Sequence, residues 1–186
     1  FCDTNNTGFS TFDLQATTTP AVLNGQDPGI FEVRYFTSQA NADANTNAIS
    51  NPYTNPTSYS NQTIYARVHN ILAPNACFAS TTFTLTVTGL PVPQDPTDYN
   101  LCDNPSVGTD TDGFIDGFTL SNKDAEILGS LNPLIYSVTY HTTLTGAQTD
   151  NTTAIIDKAN PYSNVVANTQ VVFIRVENNN NTACFD

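Results

Sequence analysis

Positive charge is the scarcest feature of this sequence. Lys and Arg number only 5, against 17 Asp and Glu, and the formal net charge is −12. Nucleic-acid binding needs a basic surface that neutralises phosphates, and docking on anionic lipid needs the same kind of surface. The composition therefore argues against both classes of partner, and it favours solubility and the binding of cations.

Long apolar runs and catalytic patterns are also missing. No run of about 18 apolar residues occurs, so we expect no direct membrane insertion. No signal peptide precedes Phe1, and the abrupt start is typical of a fragment or a processed product. No glycine-rich phosphate loop and no Ser/His/Asp arrangement can be identified. We therefore expect a protein that is not an enzyme.

What the chain does contain is an internal repeat that starts again at Cys102. When Cys2 is aligned with Cys102, short segments of both halves follow each other in the same order. The matched segments are 12–14 with 118–120, 33–35 with 138–140, 51–53 with 160–162, 64–68 with 172–176, and 75–78 with 182–185. The repeat predicts two tandem domains. We place them at 1–92 and 93–186, joined by the Pro-rich segment 90–96, which we expect to be an extended, semi-rigid spacer.

Each copy is predicted to consist of short strands separated by turn residues, the pattern of an all-β, Ig-like (fibronectin-like) antiparallel β-sandwich. In the first copy the predicted strands are 9–14, 17–23, 31–37, 63–70 and 81–88. One helical turn is expected over residues 39–44, with Ser38 as its cap. No equivalent turn is expected in the second copy, where 141–150 replaces the alanine-rich run.

The second copy lacks a closing strand. Cys77 is followed by the alternating segment 78–88, whereas Cys184 is followed only by Phe185 and Asp186. An open edge of this kind is an aggregation risk. Three explanations are open: the sequence was cut from a longer array, a tail is disordered, or a neighbouring chain donates the strand by β-augmentation.

Four cysteines occupy matching places, one at the opening of each copy and one late in each copy. The simplest pairing is within copies, Cys2 with Cys77 and Cys102 with Cys184. Four reduced, buried cysteines are the alternative. The spacing is wrong for the close Cys pairs of a structural zinc site. Disulfides would imply an oxidising, extracytoplasmic compartment.

An acidic loop opens the second copy and is a candidate calcium site. Asp110, Asp112 and Asp116 surround Gly113, and Asp103 follows Cys102. Oxygen ligands crowded into a short glycine-containing turn suit Ca²⁺, although the match to an EF-type loop is partial. The alternative is an acidic, solvated turn. The first copy keeps only Asp3 and Asp13, so a site there is less expected.

Two arginines recur at matching strand positions. Arg67 and Arg175 fall on the face opposite the apolar residues of their strands. They could bind a ligand beside an aromatic residue, as on a carbohydrate-binding face, or form a cross-strand ion pair with a carboxylate such as Glu32. His69 shares that face and is expected to be exposed.

Taken together, these motifs resemble the tandem repeat domains of giant Bacteroidetes cell-surface adhesins, among them gliding-motility adhesins of the SprB type. The shared pattern is Cys-Asp, an acidic Asp-Gly-Phe loop, Phe-x-Leu, Asn-Pro-Tyr, Ile-Tyr-x-Arg-Val and a late Cys. The resemblance implies Ig-like modules on the outside of the cell, exported by the type IX pathway into a long filament.

The leading hypothesis is a non-catalytic, adhesive segment of a surface filament used in adhesion and gliding. Its expected partners are neighbouring repeats of the same chain and a surface or polysaccharide ligand. One alternative is a pair of accessory or carbohydrate-binding modules of a secreted polysaccharide-degrading enzyme. Another is a filament subunit polymerised by strand donation.

Overall fold

The chain folds into two units, Phe1–Gly89 and Leu90–Asp186. The structure is a computed structural model that describes residues 1–186. In both units a small antiparallel sheet carries short helices on its faces. No helix has the length and apolar character needed to cross a membrane.

The first unit is built on a sheet in the order β3-β5-β6. Its strands are β1 (Cys2–Asp3), β2 (Thr11–Phe12), β3 (Phe31–Phe36), β4 (Tyr53–Thr54), β5 (Gln62–Asn70), β6 (Phe78–Leu85) and β7 (Thr88–Gly89). Its helices are α1 (Leu14–Thr17), α2 (Thr19–Leu23) and α3 (Gln39–Ala44). The short strands form two ribbons, β2 with β4 antiparallel and β1 with β7 parallel.

The core of the first unit lies on one face of this sheet. Alternation along β5 directs Ile64 and Ala66 to that face, and both are fully buried. Leu14 of α1 and Leu23 of α2 cover them from above. The opposite face is covered by α3, which packs on β3 and β5. Both faces of β5 are therefore covered by other elements.

The second unit repeats this plan with a four-stranded sheet in the order β11-β10-β8-β9. Its strands are β8 (Tyr136–His141), β9 (Ile155–Ile156), β10 (Phe173–Asn178) and β11 (Asn181–Phe185), and its helices are α4 (Asp124–Leu128), preceded by the 3-10 turn Leu120–Lys123, and α5 (Leu144–Thr149). The β8–β10 pair matches β3–β5, since His141 lies opposite Phe173 as Phe36 lies opposite Tyr65.

The β-rich class predicted from the sequence is confirmed, because strands in several antiparallel sheets dominate the structure. The helix at Gln39–Ala44 is also confirmed, with the Ser38 side chain accepting a hydrogen bond from the Asn41 amide. The finer assignment to an Ig-like sandwich stays a prediction.

Two local predictions were wrong. Residues 17–23 form helical turns rather than a strand, because Asp13 caps α1 and Pro20 occupies the first turn of α2, where a missing amide costs nothing. Residues 141–150 were expected to lack a helix but contain α5, which the Thr143 side chain caps as Ser38 caps α3. The capping residue before each helix, rather than a run of alanines, is the sequence signal for a helix that the two copies share.

The Pro-rich segment belongs to the second unit and is anchored on it. The Gln94 amide donates to the Ile127 carbonyl at the end of α4, at 2.8 Å. The Thr97 amide and hydroxyl donate to the carboxylate of Glu126, which also pairs with Lys123. These bonds hold the pKa of Glu126 at about 2. The spacer is therefore attached to α4 through Gln94, and the residue that follows it, Thr97, is attached to the same helix.

Candidate functional site

The opening loop of each unit is tied by an aspartate that accepts backbone hydrogen bonds. In the first unit Asp3 accepts from the amides of Asn5, Thr7 and Gly8, and it is almost fully buried. Burial alone would raise its pKa, but these hydrogen bonds outweigh burial and lower it. Asp3 is thus ionised, and its hydrogen-bond partners are backbone amides.

The predicted calcium ligands of the second unit have similar partners. One oxygen of Asp103 accepts from the Gly113 amide at 2.7 Å, as Asp3 does from Gly8, and its other oxygen is buried without a partner. Asp112 accepts from the amides of Thr109 at 2.7 Å and Phe114 at 3.1 Å, which lowers its pKa. Asp110 and Asp116 are exposed.

These four carboxylates do not fit a cation site in this arrangement. A calcium ion needs six to eight oxygens at about 2.3–2.6 Å, several of them from carboxylates. Nowhere in the structure are three or more His, Cys, Asp or Glu side chains grouped so that they could hold a metal ion. Calcium binding by Asp103, Asp110, Asp112 and Asp116 stays a prediction from the sequence.

An asparagine that the sequence analysis missed completes each opening loop. Asn55 is 2% exposed; it accepts from the Ser10 amide and donates to the carbonyls of Gly8 and Thr57. Asn164 makes the equivalent bonds with Ile115, Gly113 and Val166. The available signal was an Asn two residues after each Asn-Pro-Tyr motif.

Gly8 and Gly113 are required at the centre of these loops. Both have φ near +80°, a conformation that side chains disfavour. A Cβ added to Gly8 would lie 2.6 Å from Ser58, and one added to Gly113 would lie 2.7 Å from the backbone of Asn168. The Asp-Gly motif thus has a structural requirement that is independent of metal.

The recurring arginines are buried anchors, and neither interpretation of Arg67 from the sequence is correct. Arg67 is fully buried and donates to the carbonyls of Ala42, Asp43 and Pro74. Its guanidinium lies 3.5 Å above the ring of Phe78. Because Ala42 and Asp43 end α3, Arg67 binds the negative end of that helix. No exposed surface remains for a ligand.

Arg175 repeats the same contacts in the second unit. It donates to the Ala147 carbonyl of α5 at 3.0 Å, stacks 3.5 Å over Phe185 and pairs with Glu177. Glu32 instead pairs with Arg34, and its other carboxylate oxygen lies 3.2 Å from the His69 Nε2. His69, expected to be exposed, is 2% exposed beneath this face.

The observed state of the four cysteines contradicts the disulfide pairing that was expected within each copy. Cys2 and Cys184 are disulfide-bonded, whereas Cys77 and Cys102 are free thiols and both are exposed. Neither a Cys2–Cys77 nor a Cys102–Cys184 bond is therefore present. A bonded state for Cys2 and Cys184 fits an oxidising, non-cytoplasmic compartment.

The fold of the first unit explains why its own two cysteines do not pair. Cys77 immediately precedes β6, while Cys2 lies in β1, which pairs with β7 beyond the other end of β6. A strand of this length spans roughly 25 Å. A disulfide requires Cα atoms within about 7 Å. The two cysteines therefore lie at opposite ends of the unit.

The second unit also has its two cysteines at opposite ends. Cys102 precedes the loop that Asp103 ties to Gly113, and this loop is bonded to Asn168, ahead of β10. Cys184 lies in β11, which pairs with the opposite end of β10. Each repeat thus carries one cysteine at each of its two ends.

Comparison with known families identifies the repeat. A family model described as the Flavobacterium inter-domain disulphide bond domain matches residues 1–91 and again residues 98–186. The chain belongs to this family and contains two tandem copies of its domain. No curated protein and no solved structure matches the chain.

Proposed function

We propose that the chain is a non-catalytic segment of a large cell-surface filament, in which disulfides join one repeat to another. The observation that carries the proposal is the placement of the cysteines at opposite ends of each repeat. Such a module cannot close a disulfide on itself, but it can bond a neighbour at either end. Its membership of a family named for inter-domain disulfides supports the same reading.

The pairing that follows joins the opening cysteine of one repeat to the late cysteine of another. In this chain Cys77 and Cys102 are free, so the bonded cysteines, Cys2 and Cys184, are assigned to each other. The exposed thiols of Cys77 and Cys102 are then the ends available to flanking repeats. Covalent links of this kind would carry tension from one repeat to the next.

The strong negative charge supports an extracellular structural role. A formal charge of −12 keeps repeats soluble at high local density and repels them from lateral association. Adhesion to a surface or polysaccharide, and a part in gliding, are the functions we propose for the filament as a whole. The buried arginines argue against a ligand site on the Arg67 face of the repeat.

Immunogold electron microscopy of intact cells that produce the protein tests this role. Antibodies raised against the 186-residue chain should label filaments outside the cell, and brief treatment with a membrane-impermeant reductant should weaken or shorten the labelled filaments. Label found only after cell lysis would contradict the proposed location. Labelled filaments that are insensitive to the reductant would contradict the role of the disulfides.

A further inference from the structure

Four polar side chains from two neighbouring strands form a cluster on one face of the first sheet. In the register of β3 with β5, Glu32 lies opposite His69 and Arg34 lies opposite Arg67. Glu32 pairs with Arg34, and the His69 Nε2 lies 3.2 Å from the Glu32 carboxylate. Arg67 is 0% exposed and His69 is 2% exposed. The cluster therefore combines two arginines, one carboxylate and one buried histidine.

Two nitrogen atoms of this cluster are buried without a hydrogen-bond partner, Arg67 Nε and His69 Nδ1. Because the His69 Nε2 faces a carboxylate, we assign the proton of the neutral ring to Nε2. Protonation of the ring would then place an N–H at Nδ1, where it has no acceptor, and a buried unpaired donor is costly. It would also add a third positive charge to a cluster that holds one carboxylate.

The second unit has the same face without this imbalance. Glu177 occupies the place of His69, and the two residues of β8 opposite this part of β10, Ser137 and Thr139, carry no charge. Arg175 donates to Glu177 from both Nε and Nη2. One arginine thus faces one carboxylate, and the Nε that has no partner in the first unit has one here. The histidine and its surplus of positive charge are specific to the first unit.

The 71–78 turn leads from β5 into the first residue of β6 and lies beside His69. Phe78 is opposite His69 in the register of the two strands. The Asn70 amide donates to the Cys77 carbonyl at 3.0 Å, and Arg67 donates to the Pro74 carbonyl. Most residues of the turn are exposed. Segments with few buried contacts open at low free energy, so movement of this turn is the least costly way to bring water to His69.

We propose that His69 is a pH-sensitive switch that opens the 71–78 turn of the first unit in mild acid. At neutral pH the imidazole is uncharged and the turn stays packed. In acid the imidazole takes up a proton when the turn opens, because water then solvates the new N–H and the added charge. The charged or titratable groups on the elements packed against this face are Glu32 and Arg34 on β3, Arg67 on β5, Asp43 on α3 and the Cys77 thiol in the turn, and β6 contributes none.

The direction of the pKa of His69 agrees with this scheme. Burial lowers the pKa, Glu32 opposes the shift, and Arg34 and Arg67 lower the pKa further. A histidine with a lowered pKa in the folded state contributes stability that is fully present above its ordinary pKa of about 6.5 and is lost as the pH falls below that value. The open state of the turn therefore gains population below about pH 6.5. This inference does not rest on the proposed surface role.

Hydrogen exchange of the 186-residue chain at pH 7.5 and pH 5 tests the inference. Protection factors correct for the effect of pH on the intrinsic exchange rate. At the amides of Asn70 and Cys77 they should fall by about tenfold or more in acid, because opening takes up a proton. In acid these two amides should also stay less protected than those of Ile64 and Ala66, which lie in the core of the sheet.

Two variants remove the titrating group. His69→Gln keeps a side chain that can donate to Glu32 but does not titrate in this range. The double variant Glu32→Ser with His69→Glu copies the pair Ser137 and Glu177 of the second unit. Both should lack the fall in protection at Asn70 and Cys77.

Two kinds of result would overturn the inference. One is an unchanged protection of the turn amides in the parent chain, or an equal fall in the parent and in both variants. The other is equal protection at Asn70, Cys77, Ile64 and Ala66 in acid, since the whole unit would then unfold together and the turn would not be the switched element.

Discussion

At the scale of single residues, buried polar side chains set the conditions under which each repeat is stable. His141 is fully buried, its Nε2 lies 3.0 Å from the Thr139 hydroxyl, and its Nδ1 has no partner. Burial lowers the pKa of His141; Arg175 lowers it further, and Asp150 opposes the shift. The folded protein therefore disfavours the protonated imidazole that the unfolded chain would carry in acid.

We predict that His141→Phe makes the second unit less sensitive to acid. The contribution of a neutral buried histidine is fully present above its ordinary pKa of about 6.5 and falls as the pH drops below that value, because the unfolded state then binds a proton that the folded state excludes. Phenylalanine fits because Phe36 occupies the same place in the first unit, also fully buried. Hydrogen exchange of β8 and β10 amides at pH 7.5 and pH 5 measures the difference.

The first unit provides the internal control for this comparison. Its β3 and β5 amides should respond to pH alike in the parent chain and in His141→Phe. Equal loss of protection in β8 and β10 for both proteins between these pH values would contradict the role given to His141.

A substitution at Asp112 distinguishes a loop with a purely structural role from a metal site. Because its carboxylate accepts from the amides of Thr109 and Phe114, we predict that Asp112→Ala lowers the melting temperature of the second unit by the same amount whether calcium is present or chelated. Asp110→Ala, which removes an exposed carboxylate, is the matched control and should have little effect. The measurement is thermal unfolding in millimolar calcium and in chelator. A loss confined to calcium, in both variants, would instead support the cation site predicted from the sequence.

At the scale of elements, the sequence predicted what depends on local pattern. The strands β3 and β5 and the Ser38 cap of α3 are predicted correctly, since all three depend on residues close in sequence. The helix α5 is not predicted by an alanine-rich run, which residues 144–149 lack, although Thr143 provides the same kind of cap as Ser38.

What depends on contacts between distant segments could not be predicted. The polar or amphipathic character of Tyr65, Arg67 and His69 predicts that the second face of β5 is exposed. It is buried because α3 and the 71–78 turn cover it and supply carbonyl partners for Arg67. The cysteine pairing failed for the same reason: the separation of Cys2 and Cys77 is set by the path of β6.

Arg67 joins three elements, so its loss tests this packing. We predict that Arg67→Met destabilises the first unit by about 3 kcal/mol, since it leaves the buried carbonyl of Ala42 and the partly buried carbonyl of Pro74 without their donor. Arg34→Met, at a position whose side chain is 42% exposed, should cost less than about 1 kcal/mol. Urea unfolding monitored by exchange of β5 amides gives both values, with the second unit as reference. Equal losses in the two variants would contradict the anchoring role.

At the scale of the whole molecule, each of the two repeats carries one bonded and one free cysteine. Each unit keeps its own core, one around Leu14 and Ile64 and the other around Ile127 and Val176. The two tandem family domains and the bonded state of Cys2 and Cys184 both favour covalent connection between modules over cross-linking within them.

The most direct test of this account is disulfide mapping of the 186-residue chain under non-reducing conditions. Free thiols are first alkylated at low pH, and the protein is then digested and analysed by mass spectrometry. We predict alkylation at Cys77 and Cys102 and one cross-linked peptide pair that contains Cys2 and Cys184. A Cys2–Cys77 or a Cys102–Cys184 peptide would contradict the account, because it would place the two cysteines of one repeat at the same end.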